Sequence, residues 1–306
     1  MSKERVHTNM DFKAKLAAFK AAKEAKKASS SSSGGMVKRR RESAGGEAGA
    51  GGDKKKTAVS TNSSSKAPTG PAFRENGKPL VDFFIIGAQK AGTMAAVKNM
   101  NKHPDVYVLK ECHFFDLYYD MGITWYKNQL KPGKKSIVGE KTPELIYVDS
   151  CAPRMKLVCP NAKFILFIRD PVKRAYSNWN MQIPGGSGVE DLSFSEAIDR
   201  ELDGLMGEKR VYGTALYHYI QRGLYLDQIE RFLKTFPDRS RLHIVVAEHM
   251  RARPKEVYDA MFDFVGAKVP FEFEAEDEHI GTYKAAKMPE KTRQKLVRLF
   301  APHNER

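Results

Sequence analysis

One stretch limits what this chain can fold into more than any other: Asp82-Phe83-Phe84-Ile85-Ile86-Gly87-Ala88-Gln89-Lys90-Ala91-Gly92-Thr93. Phe83 to Ile86 is a short apolar run of strand formers. After Thr93, the residues Met94, Ala95, Ala96, Val97 and Met100 are spaced for one face of a helix packed on a sheet. Between them Gly87 and Gly92 bracket a tight loop that aims backbone N–H groups and a helix N-terminus at one point, a seat for a phosphate. A nucleoside-triphosphate loop places lysine directly after its second glycine. Here Thr93 follows Gly92 and the lysine, Lys90, lies inside the loop, which argues for a 5′-phosphate ligand rather than an ATP γ-phosphate. Taken alone, the loop leaves an ordinary strand-to-helix turn open as an alternative.

A second apolar run, Phe164 to Ile168, is continuous, as in a central parallel strand buried on both faces. It leads into Arg169-Asp170-Pro171, where Asp170 can cap a helix that has Pro171 at its first position. Arg169 at the strand end and Ser177 about two turns into that helix can reach one anion, the first by a two-pronged guanidinium contact. In a purely structural reading Asp170 would be the partner of Arg169.

Val106-Tyr107-Val108 reads as another strand, ending in Lys110-Glu111-Cys112-His113-Phe114-Phe115. Polar residues at a strand's C-terminal end sit where open α/β sheets build their sites. Glu111 and His113 are two apart, so on an extended chain they point the same way, one as general base and the other orienting it. A surface Lys110–Glu111 pair is the alternative. Ile137 to Pro143 is a strand breaking into a loop, and puts Lys141 on the same edge, where the alternative is a solvated lysine. Strand and helix patterns alternate along the chain. The expected fold is therefore three-layer α/β of the P-loop type, a mostly parallel central sheet flanked by helices.

These motifs together resemble the sulfotransferase family that uses 3′-phosphoadenylyl sulfate (PAPS). Gly87 to Thr93 looks like its 5′-phosphosulfate loop, and Arg169 to Ser177 like its 3′-phosphate element. Lys110 to Asp116 is similar to the K-E-x-H-F-F-D segment of the heparan sulfate branch, the glucosaminyl N- and 3-O-sulfotransferases. Glu140-Lys141-Thr142-Pro143, Gly223 to Ile229 and His243 to Glu248 also match that branch. The resemblance runs from about Phe83 to Asn304. It implies that Gln89, Lys90, Ala91, Gly92, Thr93 and Met94 hold the 5′-phosphosulfate and that Arg169 and Ser177 hold the 3′-phosphate. It also implies that Lys90 acts on the leaving oxygen, that Glu111 takes the acceptor proton with His113 as its substitute, that Lys141 lines the acceptor side, and that no metal is required. The implied partner is a glycan or a small hydroxyl or amine compound, and nucleic acid is not expected.

Where the resembled enzymes carry a cysteine-bracketed loop with Lys-Gly-Arg, this chain has Gly281 to Pro289, without cysteine, and Lys284 or Lys287 would have to supply the charge. The chain stops at His303-Asn304-Glu305-Arg306, and its C-terminus is read as shortened.

Composition sets the remaining bounds. Residues 1–75 are rich in Lys, Ala, Ser and Gly, include Lys38-Arg39-Arg40-Arg41, and lack the apolar content to offset ordering entropy, so a disordered basic tail is expected before a domain at 76–306. The net charge of +15, much of it in that tail, favours anionic ligands. Cys112, Cys151 and Cys159 have neither metal nor disulfide spacing. No apolar run is long enough for a signal or membrane segment; the chain reads as soluble, with cytoplasm and Golgi both left open. Two rival functions are weighed. A P-loop small-molecule kinase is disfavoured by the displaced lysine and by the lack of an acidic strand end for Mg²⁺. A non-catalytic polyanion or nucleic-acid binder would work through the tail. Ser193 and Glu196 have capping-box spacing ahead of a helix to Leu205, Pro184 to Gly188 reads as a loop, Tyr212 to Phe236 as largely helical, and Pro254 to Val265 as an amphipathic helix ending at Gly266.

Overall fold

A computed structural model describes residues 67–183, 190–206, 217–276 and 287–306. Most of the expected tail, the loop at 184–188, the start of the aromatic stretch at 212–216, and Lys284 lie outside the described residues. In chain order the elements are β1 (Phe83–Gly87), α1 (Thr93–Met100), β2 (Val106–Lys110), α2 (Gly122–Gln129), β3 (Ile137–Lys141), α3 (Cys151–Val158) and β4 (Lys163–Ile168). Then come α4 (Pro171–Gln182), α5 (Phe194–Met206), α6 (Tyr225–Thr235), β5 (Leu242–Val246), α7 (Ala247–Ala252), α8 (Pro254–Val265) and α9 (Glu290–Glu305).

The five strands form one sheet in the order β2-β3-β1-β4-β5, with each neighbouring pair parallel. Buried parallel strands are apolar on both faces, and the two runs picked out in the sequence, β1 and β4, are the central pair. Their alternate residues feed two separate cores. Phe84, Ile86, Phe164 and Leu166 face Tyr126 of α2, Met155 and Val158 of α3, and Phe232 of α6. Phe83, Ile85, Ile165 and Phe167 face Ala96 and Met100 of α1 and Met261 and Phe262 of α8. Helices therefore cover both faces, as the alternating pattern predicts. A third apolar cluster joins α4, α5 and α9 through Val172, Ala197, Ile198, Leu296 and Phe300. Emptying a β1 phenylalanine to alanine would cost about 3–5 kcal/mol.

Ser193 and Glu196 form the expected reciprocal cap, Ser193 N–H to Glu196 Oε2 at 2.8 Å and Glu196 N–H to Ser193 Oγ at 3.3 Å. Residues 217–224 are not the helix the aromatic pattern suggests: they are turns and a short 3₁₀ segment, Gln221–Gly223, and regular helix starts only at Tyr225. Packed chain begins before residue 76. Ala72 is buried and donates its N–H to the Val158 carbonyl at 2.9 Å, and Arg74 pairs with Asp82 at 2.8 Å. Among the described residues no helix is long and apolar enough to cross a membrane.

From the central β1 the chain passes to β2 on one edge, while β4 passes to β5 on the other. The reversal lies between β1 and β4, where open α/β sheets bind ligands beyond their strand C-termini.

Candidate active site

At the end of β1 the loop turns through Gly87 (φ 149°), Lys90 (φ 70°) and Gly92 (φ 95°). A side chain at Gly87 would stand 2.7 Å from Ile146 Cγ2 and 2.9 Å from the Pro143 carbonyl oxygen, so only glycine lets the loop pass the outlet of β3. Gly92 precedes α1 in a left-handed conformation, no side chain caps that helix, and its first turn holds no acidic residue. The N-terminal amides of α1 are thus free of a competing carboxylate. Thr93 is buried at this point, as is Ala91. Met94 lies half-buried one residue on.

Arg169, at the end of β4, donates from Nη1 to the Lys90 carbonyl at 3.0 Å. The two segments expected to hold phosphates are therefore in direct contact across the switch point. The backbone of Arg169 is fixed by Tyr225, whose hydroxyl donates to the Arg169 carbonyl at 2.9 Å. Burial, with Arg251 adding to it, holds the guanidinium below its ordinary pKa. Asp170 is not its hydrogen-bond partner: that carboxylate caps α4, accepting from Val172 N–H at 2.9 Å and Lys173 N–H at 3.1 Å. Ser177 is half-buried on α4. The buried Nε of Arg169 has no partner within the protein, which fits a bound anion beside it.

Glu111 and His113 come together by a different route from the one the sequence suggests. The extended-chain argument fails, because β2 ends at Lys110 and both residues are left-handed, with φ 49° and 57°. They are held instead by the outlet of β3: Glu111 N–H donates to the Lys141 carbonyl at 2.6 Å and His113 N–H to Thr142 Oγ1 at 3.3 Å. Lys141 is no solvated lysine. Its side chain is 1% exposed, and its ammonium meets Glu111 Oε1 at 2.5 Å and Met94 Sδ at 3.2 Å. Glu111 thus pairs with Lys141 across the sheet rather than with Lys110. Burial alone would raise the Glu111 carboxyl, but Lys141 outweighs it and holds the group below the usual carboxylate value.

His113 Nδ1 stands 2.9 Å from Asp116 Oδ2. Burial works against its charge, yet the bond and charge of Asp116, with Glu144 and Glu111 behind, push the imidazole up to about 9. Beneath it the fully buried Glu140 accepts from the Tyr126 hydroxyl and from Thr142 Oγ1, the latter at 2.9 Å. Burial raises its carboxyl to about 7 against those hydrogen bonds. Among the described residues, Lys90, Glu111 and His113 are the non-glycine residues with positive φ. Such conformations cost about 1–3 kcal/mol each and cluster where a site imposes them.

Sequence reasoning passed over Asp116, Glu140, Glu144 and Arg222. Asp116 and Glu140 lie inside the segments quoted above but were given no role; the usable signal was a carboxylate set within an otherwise apolar run. Arg222 directly precedes the Gly223 to Ile229 segment quoted above and was likewise given no role. Gln89, expected at the phosphate, has its side chain turned to Glu144 Oε1 at 3.3 Å and to Arg222 Nη1 at 3.1 Å. His113, Asp116 and Glu144 bring ligand-type atoms within 4.8 Å of one another. With Arg222 on Glu144 and the imidazole on Asp116, they close as an ion-pair network.

Comparison with known proteins follows this geometry. Heparan sulfate glucosamine 3-O-sulfotransferase 3B1 of Homo sapiens is 30% identical over 210 residues, 67% of this chain and 51% of that protein. Its human 3A1 counterpart is 31% identical over 199 residues, 63% and 46% of the two chains. The chain spans about half the length of the curated relatives it matches. The crystal structure of a sulfotransferase from Alicyclobacillus acidocaldarius superposes with a TM-score of 0.62 at 26% identity, covering 73% of this chain and 92% of that one. A family model described as sulfotransferase domain matches residues 80–301, and the chain belongs to that family.

Proposed function

We propose that this domain transfers a sulfuryl group from PAPS to a hydroxyl or amine of a carbohydrate acceptor. The observation that carries this reading is the contact between Arg169 and the Lys90 carbonyl, which sets two anion-binding segments side by side with an ionised carboxylate, Glu111, across from them. That arrangement suits a ligand with phosphates at both ends of a ribose and an acceptor approaching from the β2–β3 side. The names of the human relatives support a glycan hydroxyl as the acceptor.

When bound, the donor supplies a sulfuryl group on a phosphate leaving group. The uncapped start of α1, together with Thr93, holds the 5′ end, and Arg169 and Ser177 hold the 3′ end. Glu111 accepts the acceptor's proton as the new S–O bond forms. Lys90 offsets the charge that develops on the departing bridging oxygen, an electrostatic role. Lys141 keeps Glu111 ionised and aimed. Against its burial, the bond and charge of Asp116 push the His113 imidazole up to about 9, so Glu111 is proposed as the base in preference to His113. The imidazole is better suited to donate a hydrogen bond to the acceptor.

Calorimetry with adenosine 3′,5′-bisphosphate, followed by transfer of labelled sulfur from PAPS to heparan sulfate, steroids, phenols and amines, tests the reading. Binding of the bisphosphate with label on the glycan is expected. Absence of binding at millimolar ligand would overturn the donor assignment, and label appearing only on the small compounds would overturn the acceptor.

A further inference from the structure

Arg222 is 3% exposed and lies on the 3₁₀ segment Gln221–Gly223, directly ahead of α6. A buried guanidinium is costly unless its partners are good. Its Nη1 donates to Gln89 Oε1 at 3.1 Å and approaches Glu144 Oε1 at 3.4 Å, and its Cζ lies 4.8 Å from the centroid of the Tyr147 ring. The segment carrying it is pinned from both sides. Gln228 donates to the carbonyls of Gln221, Arg222 and Leu224 at 3.2, 3.3 and 3.0 Å, and the Tyr147 hydroxyl donates to Gln221 Oε1 at 2.8 Å. Glu144 accepts from Gln89 Nε2 at 3.3 Å and stands in the group with His113 and Asp116. One buried carboxylate therefore meets Gln89 of the phosphate loop and Arg222 of the 3₁₀ segment, and stands within 4.8 Å of the His113–Asp116 pair.

We infer that Arg222 and Glu144 are positioning residues: they lock Gln89, and with it the phosphate loop, to the His113–Asp116 pair, so donor and acceptor sides share one alignment. This rests on the sulfuryl-transfer reading above. Arg222 acts through Gln89 on the loop. Glu144 acts through Gln89 on the loop and through its charge on His113. The charged groups acting on His113 are Glu111 and Asp116 on its own segment, Glu140 from β3 and Glu144 just beyond it, with Lys141 paired to Glu111 and Arg222 to Glu144.

The test uses the full chain and two readouts. The first is a double-mutant cycle in affinity for adenosine 3′,5′-bisphosphate, made of Gln89→Ala, Arg222→Gln and the pair. Each single change is expected to weaken binding about 10-fold and the pair no more than either, because residues in one network are non-additive. The second is the titration of His113 by NMR. Glu144→Gln is expected to lower its midpoint by about one pH unit, from loss of a neighbouring charge. A merely structural pair would lower the melting temperature while leaving both readouts at wild-type values, and that result overturns the inference. If Arg222→Gln does not fold, Glu144→Gln takes its place in the cycle with the same expectation. If the wild-type protein binds no bisphosphate, the donor reading fails by itself, and the His113 titration alone decides whether Glu144 acts on that side.

Discussion

Around β1 and β4, two cations, Lys90 and Arg169, stand on short loops at strand ends, and the Arg169 guanidinium meets a backbone carbonyl rather than a carboxylate. Around β2 and β3, Lys141 and His113 each meet a carboxylate, Glu111 and Asp116, and Arg222, between the two sides, meets Glu144. On the first side the buried Nε of Arg169 has no hydrogen-bond partner within the protein, a donor suited to an anionic ligand. The second has its charge balanced internally, so its groups are set for proton handling and orientation rather than for attracting an anion. The same sheet edge thus offers an unpartnered donor on one half and paired charges on the other.

If that division holds, the largest effect comes from the base. Glu111→Gln keeps shape and loses proton acceptance, so turnover should fall roughly 10²–10⁴-fold. Calorimetry should find bisphosphate affinity within about 2-fold, since a carboxylate offers an anion no attraction. Parallel loss of affinity would erase the comparison. Arg169→Ala makes the mirror-image test. Affinity for adenosine 3′,5′-bisphosphate should drop by about 2–5 kcal/mol through loss of a desolvated charge partner, and an unchanged dissociation constant would leave Arg169 only its tie to the loop.

Lys141→Met sharpens the second side. Without the ammonium, burial dominates at Glu111, and the acidic limb of the pH–rate profile should move up by about 1–3 pH units; a limb that stays put would free Glu111 from Lys141. Asp116→Asn reports on the histidine through stability. The folded His113 value, about 9, lies above its ordinary 6.5, so its contribution is full below pH 6.5 and is lost as pH rises through 9. Chemical denaturation should show the wild type losing about 1–3 kcal/mol over that window, and Asp116→Asn should flatten the slope. The smallest effect is on the other side. Asp170→Ala removes the α4 cap and should cost about 1 kcal/mol, measured by urea melts, while shifting bisphosphate affinity far less than Arg169→Ala.

What could be read ahead of the structure follows the same divide. The loop 88–92 and the turn 169–171 are local motifs whose geometry depends on glycine, proline and a capping aspartate within a few residues, and their placement on β1 and β4 follows from two continuous apolar runs. Pairing of Glu111 with Lys141 spans 30 residues, and that of Arg222 with Gln89 spans 133. Such partners depend on strand register and on where a 3₁₀ segment folds back, which no short window contains. The extended-chain argument for Glu111 and His113 failed because Thr142 and the Lys141 carbonyl impose a left-handed path that residue spacing does not encode.

The left-handed backbone at Lys90, Glu111 and His113 has a practical corollary for anyone engineering this protein. Glycine would relieve the backbone strain at each position, but at Glu111 and His113 it would also strip the partner from the buried Lys141 ammonium and the buried Asp116 carboxylate, so of the three a search for stabilising substitutions would favour Lys90. Accepting that suggestion would relax the loop at the cost of the side chain proposed to act on the leaving oxygen. Thermostability and turnover should therefore be selected together in any library that includes that position.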